Sequence, residues 1–436
     1  MYTAGVALAT LVVSAGAAGL ESLDPSFGEG GLVTSPVGSA VAVADLAPSG
    51  HDGAMTAALA SWRRGGKFAA VARFGPGGSL DPTFGTDGIA TPFPAPPVDW
   101  AQTESVVAQS GGRTLVVGYR TRSSGLNERI GPLMARLRAD GSLDPSFGSA
   151  GLVAPPPRRE GDAYHAAAAL PGGGAIAVGT RNERFGPPAG LVVAYRADGH
   201  VNRSFGRRGR VVFPARGRGS YTGLSAVSIV SGGKVLVSGF RRGRLFVARL
   251  RPDGSPDRDF SDGDGRLSVD IGDTSGCLAA CGPRTALGPQ GRLILVMASR
   301  PSVRTVLMRL HADGSVDRSF GHRGFVATGA GRLLSDPADL ALQPGGRIVI
   351  VGTDERIDAN GRIRFVFGVL RFTVDGGLDR SFGAGGLLTL PGPRGSAGFA
   401  ALRQSDGKVV AGGALDRSSD SSLDYALLLA RLRQGG

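Results

Sequence analysis

Apolar runs of four to eight residues, rich in Val, Ile, Leu and Ala, recur along the whole chain, and Gly, Pro, Asp or Ser closes each one. Such runs are strand signals, because branched apolar side chains suit a pleated, buried surface and Gly or Pro ends it. One stretch shows the order at full length: Gly324–Ala327 (GFVA), Asp339–Leu342 (DLAL), the turn Gln343–Arg347 (QPGGR), Ile348–Gly352 (IVIVG) and Phe365–Phe372 (FVFGVLRF). The turn and the strand after it return as GGRTLVVG at Gly111–Gly118, GGKVLVSG at Gly232–Gly239 and SDGKVVAGG at Ser405–Gly413. A Gly ends that strand at Gly118, Gly179, Gly239, Gly352 and Gly412. The pattern predicts four short strands per unit, beginning with the run that follows each recurring Phe.

Between units lies a nine-residue motif, DGSLDPSFG in its fullest form at Asp140–Gly148. Its Phe recurs as Phe27, Phe84, Phe147, Phe205, Phe260, Phe320 and Phe382, at spacings of 57, 63, 58, 55, 60 and 62 residues. A fixed period of this size marks a repeat architecture. Asp-Gly supplies turn chemistry, since Gly accepts positive φ and Asp bonds its own backbone. Leu143 and Phe147 flank the turn as apolar anchors. Turn and anchor chemistry accounts for seven similar loops without a ligand in any of them.

The second Asp of the motif carries a pairing signal. It stands as Asp24, Asp81, Asp144, Asp257, Asp317 and Asp379, and an Arg lies eight residues earlier in Arg73, Arg136, Arg249, Arg309 and Arg371. In one repeat the Asp becomes Asn202, and there the Arg is Ala194. Joint loss is expected of a buried ion pair, because removing one partner alone leaves an uncompensated charge. Arg431 stands near the C-terminus with no motif after it, while SLDPSFG at Ser22–Gly28 has no strand before it. Arg431 and Asp24 therefore complete one unit between the two ends. A linear solenoid needs a distinct cap at each end; complementary ends instead indicate a closed ring. Four strands per unit, seven units and matching termini predict an all-β fold, a seven-bladed β-propeller of antiparallel four-stranded blades over residues 21–436.

The DGSLDxSFG motif, the PGGR-type turn with its following strand and the repeat period resemble the delta-60 repeat family of bacterial β-propellers. The resemblance spans nearly the whole chain. It implies a propeller and a bacterial source, and it brings no catalytic residues, cofactor or ligand.

Charge and composition change the picture little. The 436-residue chain carries a net charge of +13, mostly through Arg. No run of Lys and Arg is interleaved with aromatic residues as a single-strand stacking platform requires, so nucleic acid is a disfavoured partner. The 72 Gly and 27 Pro fall at repeated turn positions and not in low-complexity tracts. Residues 1–20 read as a secretion signal, with an apolar stretch at Val6–Val13 and Ala15-Gly16-Ala17 as a cleavage site, although the usual positive start is missing. The stretch is too short to span a membrane, and the protein is expected to be secreted or held at the cell surface. Cys277 and Cys281, three residues apart in CLAAC, are expected to form a local disulfide.

Repeated short turns should gather on one face of the ring. The other should carry long loops that differ between units: Pro92–Trp100, Tyr119–Gly131, Ala154–Tyr164, Arg181–Pro188, Asp354–Arg364 and Ala414–Tyr425. Variable loops on a rigid scaffold are where binding concentrates. The candidates on that face are Trp100, Tyr119, Tyr164, His165 and Tyr425. One motif is longer and more acidic than the rest, and its Asp257, Asp259, Asp262 and Asp264 form a calcium candidate with no EF-hand pattern. No cofactor is otherwise expected. The five His share no repeat position, and no nucleophile, zinc or phosphate-loop motif is present. Tyr164-His165, near Glu160 and Asp162, is the one candidate for chemistry. The expected function is binding or scaffolding of a protein or glycan through the variable face. The alternative is a lyase or hydrolase acting on polysaccharide at the channel mouth.

Overall fold

The computed structural model describes residues 19–434, apart from the segments 36–40, 51–52, 64–65, 94–98, 125–126, 160, 184–185, 216–220, 272–281, 300–303, 329–333, 358–360, 391 and 419–423. Most of the expected secretion signal, and both Cys277 and Cys281, lie outside the described residues.

Seven four-stranded antiparallel sheets form the ring. Six blades take their strands in chain order, over residues 41–90, 99–153, 162–213, 222–269, 284–327 and 336–390. The seventh is built from Gly395–Arg403, Val409–Asp416 and Tyr425–Leu432, and its fourth strand is Leu32–Ser35 from the other end of the chain. Leu32 pairs with Ala430 and Ser35 with Leu427, which closes the ring.

The phase of the repeat differs from the sequence expectation. Phe325–Ala327, expected to open a unit, pairs with Arg304–Leu310 as the outermost strand of the preceding blade. Each blade instead begins with the strand after that one, and this first strand lines the central channel. The motif thus joins the third strand to the fourth within a blade and does not cross between blades.

The second and third strands read as continuous apolar runs because blades stack face to face and bury both sides of each strand. Leu293–Ser299 (LILVMAS) is buried along nearly its whole length. The core accordingly consists of seven layers, one between each pair of neighbouring blades. Every layer contains one motif Phe, and all seven are fully buried.

In six blades the channel strand carries a β-bulge, at Ala44, Glu104, His165, Ser225, Ala338 and Phe399. A bulge re-aims a side chain and interrupts pairing. It also explains the Gly that ends the second strand. A Cβ on Gly118 would stand 1.9 Å from the Gln102 carbonyl oxygen beside the bulge, and one on Gly179 2.0 Å from that of Ala163. In the seventh blade the residue facing the bulge is Gly413, paired with Gly398, and not Gly412 as the spacing suggested.

Candidate functional site

The short-turn face is built from the motif, and the motif's buried polar groups are occupied by the fold. Arg136 donates from Nε to Asp144 Oδ2 at 2.8 Å, from Nη2 to Ser146 Oγ at 2.8 Å, and from Nη1 to the Ala197 carbonyl of the next blade at 2.5 Å. Its guanidinium also lies 4.7 Å from the centre of the Phe147 ring. The same pairing joins Arg249 to Asp257 at 2.5 Å, Arg309 to Asp317 at 2.8 Å, Arg371 to Asp379 at 2.8 Å and, across the ring closure, Arg431 to Asp24 at 2.9 Å. Arg73 feels the charge of Asp81 and donates to the Ala139 carbonyl of the next blade. Burial alone would raise these carboxyls. Hydrogen bonds from the Ser two residues on, with the Arg charge, reverse that and hold Asp317 at about 2.

A second cation completes the cluster, and the sequence reading missed it. The residue that follows the Gly-Gly turn reaches the same carboxylate: Lys234 to Asp257 at 2.9 Å, Lys408 to Asp24 at 2.8 Å, Arg347 to Asp379 at 3.4 Å and Arg113 to Asp144 at 3.8 Å. The signal was present in GGR, GGK and DGK. In the third blade this position is Gly174, so both cations and the carboxylate are absent there together. The third and fourth blades still share the Gly206 N–H bond to the Asp253 carbonyl, at 2.7 Å.

Of the calcium candidates, Asp257 is fully buried in its ion pairs and Asp264 accepts the Arg266 backbone N–H at 2.8 Å. Asp259 lies 3.7 Å from Lys234. Among the described residues no three Asp, Glu, His or Cys side chains gather as a cation site, so these four carboxylates do not converge.

Two further hollows adjoin at Phe399. The inner one is the channel, a space of about 160 Å³ to which every blade contributes. Glu104, His165, Arg284 and Phe399 reach it from four blades, with Asp45 and Asp339 from two more. Both Asp carboxylates join neighbouring blades. Asp45 accepts the Val106 N–H at 3.0 Å, and Asp339 accepts the Ala401 N–H at 2.8 Å. Arg284 donates to the carbonyls of Ala338 and Ser225, each at 3.0 Å. These groups are only partly exposed and sit between low-dielectric walls. Desolvation, only partly offset by Arg284, pushes Asp339 up to about 7, and Asp45 is raised for the same reason. Desolvation, followed by the Arg284 charge, lowers His165 to about 4. His165 lies edge-on to Tyr119 with ring centres 6.0 Å apart, and Tyr119 bonds Gln102, which in turn bonds Glu104 at 2.5 Å.

The outer hollow is a cleft of about 630 Å³ that runs over the sixth and seventh blades to the first. Its lining mixes apolar Ile363, Phe365, Phe399 and Tyr425 with charged Asp336, Glu355, Asp416 and Arg394, and Glu355 and Asp416 stand directly across from Phe365 and Tyr425. Phe365 is 51% exposed and Ile363 62%. Both project from the hairpin Ile348–Ile357 and Ile363–Phe372, whose tip runs beyond the buried part of the blade. Ile363 pairs with Ile357 and Phe365 with Glu355, so the two apolar residues share one hairpin face. Burial and the nearby charge of Asp416 raise the Tyr425 hydroxyl.

The sequence candidates divide accordingly. Tyr425 lines the cleft, His165 lines the channel, and Trp100 is 55% exposed at the start of its blade. Tyr119 stands beside His165. Tyr164 is not on the surface: it is fully buried, and its hydroxyl meets that of Tyr195 at 2.5 Å. The bulge at His165 separates these neighbours, sending His165 to the channel and Tyr164 to the core. Asp162 pairs with Arg210 at 3.1 Å, and Glu160 lies outside the described residues. Phe365, Phe399 and Glu104 were missed: Phe399 and Glu104 share the recurring bulge position, but its residue type varies between the blades that have it.

The profile of a family described as a beta-propeller domain of unknown function (DUF5122) matches residues 109–147, 233–260 and 291–320. Each stretch runs from the Gly-rich turn to a motif Phe. No curated protein matches the chain by sequence. Among solved structures, a catalytically inactive virginiamycin B lyase from Staphylococcus aureus with quinupristin is similar at 11% identity and a TM-score of 0.48, over 92% of this chain and 98% of that one. The polysaccharide lyase Uly1 is similar at 10% identity and a TM-score of 0.48, over 94% and 91%. An alpha-L-arabinanase from Penicillium chrysogenum follows at 12% identity and a TM-score of 0.39, over 76% and 92%. Likeness at this level is one of chain architecture and transfers no activity.

Proposed function

We propose that this protein is a secreted or surface-associated binding module of the delta-60 repeat type, and that it takes a glycan in the cleft over its sixth and seventh blades. The observation that carries this reading is the makeup of the cleft. Exposed Phe365 and Ile363, with Tyr425, stand among carboxylates and one guanidinium. Binding hollows combine an apolar wall with a few placed polar groups. A sugar ring matches both, since one face is apolar and its hydroxyls bond carboxylates, which accept at two oxygens. On the short-turn face, the described hollows around Arg196, His200 and Asn202 and around Arg113, Ser146 and Asp198 have no Phe, Tyr or Trp in their lining.

Binding to immobilised glycans, measured for the native protein and for Phe365→Ala, tests the reading. Loss of binding in a variant that melts as the native protein does is the expected outcome. Unchanged binding in both Phe365→Ala and Tyr425→Ala overturns it. Export is checked by sequencing the N-terminus of protein recovered outside the producing cell.

A second reading, a polysaccharide-cleaving enzyme, rests on the convergence of His165, Glu104 and Asp339 from separate blades at the channel. It requires new chain ends to appear on incubation with a polysaccharide and to stop appearing in His165→Ala.

A further inference from the structure

Cleft and channel share a wall. Phe399 lines both, and so do single strands on either side of it: Ala42 faces the cleft where Ala44 and Asp45 face the channel, and Asp336 faces the cleft where Asp339 faces the channel. The bulge places Phe399 between the two hollows, at the head of the seventh blade. The cleft, at about 630 Å³, is the larger of the two hollows and the channel, at about 160 Å³, the smaller. A larger cleft that adjoins a small polar-lined hollow suits a chain molecule presented end first.

From this adjacency, and resting on the glycan reading above, we infer that the protein recognises the terminus of a linear, uncharged glycan. The chain lies along the cleft against Phe365 and Tyr425. Its terminal ring passes Phe399 and offers its hydroxyls to the channel groups of Glu104, His165 and Asp339. The charge preference follows from the cleft, whose lining holds three carboxylates, Asp336, Glu355 and Asp416, and one guanidinium, Arg394. A chain of uronates or sulfated sugars brings like charge against this excess of carboxylates, and like charges repel at short range.

Titration calorimetry distinguishes end recognition from side-on binding. The probes are maltohexaose, cellohexaose and mannohexaose, with a long soluble mannan and a polygalacturonate for comparison. The expected result is one protein bound per mannan chain whatever the chain length, and weaker binding of the polygalacturonate. Ala44→Phe narrows the channel and leaves the cleft intact, and Glu104→Gln alters a channel group with little change of shape. Each should weaken hexaose binding about tenfold or more. Many proteins bound along one chain, or native affinity in both channel variants with Phe365→Ala still impaired, overturns end recognition and leaves the cleft reading standing. Preference for the polygalacturonate overturns the uncharged class. Failure of every glycan to bind the native protein removes the cleft reading together with this one.

Discussion

Arg136 meets four neighbours at once: a carboxylate and a serine hydroxyl of its own blade, a carbonyl of the next blade and the face of Phe147. Arg136 and Asp144 are 3% and 5% exposed, so removing either leaves a charge away from water. Asp144→Ala should therefore cost about 3–5 kcal/mol, the usual range for breaking a buried pair. The third blade supplies the control, since Ala194 and Asn202 occupy these two places there. The double variant Arg136→Ala with Asp144→Asn should recover part of the loss. Recovery stays partial because the Ala197 carbonyl loses its donor and Arg113 its carboxylate. Denaturant unfolding of the three proteins decides it, and a single variant within error of the native protein refutes the pairing as a source of stability. This interaction was legible in the sequence because both partners vary together at a fixed spacing of eight. Phe365 and Glu104 were not legible. They lie on strand positions whose residue type varies between blades, and only the closed ring brings them to a cleft or channel.

Leu32–Ser35 reaches its blade from the opposite end of the chain, so closure depends on one short segment. That segment brings more than four paired residues. Phe27 fills the layer between the seventh and first blades, Asp24 meets Arg431 and Lys408, and Ser22 Oγ accepts the Gly383 N–H of the sixth blade. Without it the strand Tyr425–Leu432 is an open edge, and open edges pair with other chains. A chain beginning at Val41 should lose its cooperative melt and associate. A synthetic peptide of residues 19–35 added in trans should restore the transition by occupying that edge. Within the full chain, Phe27→Ala should cost about 3–5 kcal/mol. A truncated chain that melts as the native protein does would show that closure is dispensable. Matching termini announced this ring from sequence, yet the strand order within a repeat was read one strand out of phase. The motif resembles a crossover between units, and only the pairing register reveals that the strand after each Phe turns back onto its own blade.

Across the whole molecule two sets of groups respond to acid in opposite senses. In the motif ring, Asp144, Asp257 and Asp379 are held below the usual 3.8 and Asp317 at about 2. A carboxyl lowered by folding contributes stability above its unfolded value and loses it as pH falls toward its folded one. This contribution is complete at neutral pH and declines below 3.8. The channel groups behave differently. Asp339, raised from 3.8 to about 7, binds its proton more readily folded than unfolded, so stability rises as pH falls through that interval, and Asp45 acts in the same direction. His165, lowered from 6.5 to about 4, binds its proton less readily folded, so stability falls over its own interval. Two carboxyls outweigh one imidazole. The thermal midpoint should rise modestly from neutral pH toward 4 and then fall steeply as the motif ring protonates below 3.8. His165→Asn removes the opposing slope and should steepen the rise, whereas Asp339→Asn should flatten or invert it. Melts of the three proteins across this range test the channel directly. Parallel curves for all three would mean that these groups titrate as they do in water, and that the channel walls do not set their protonation.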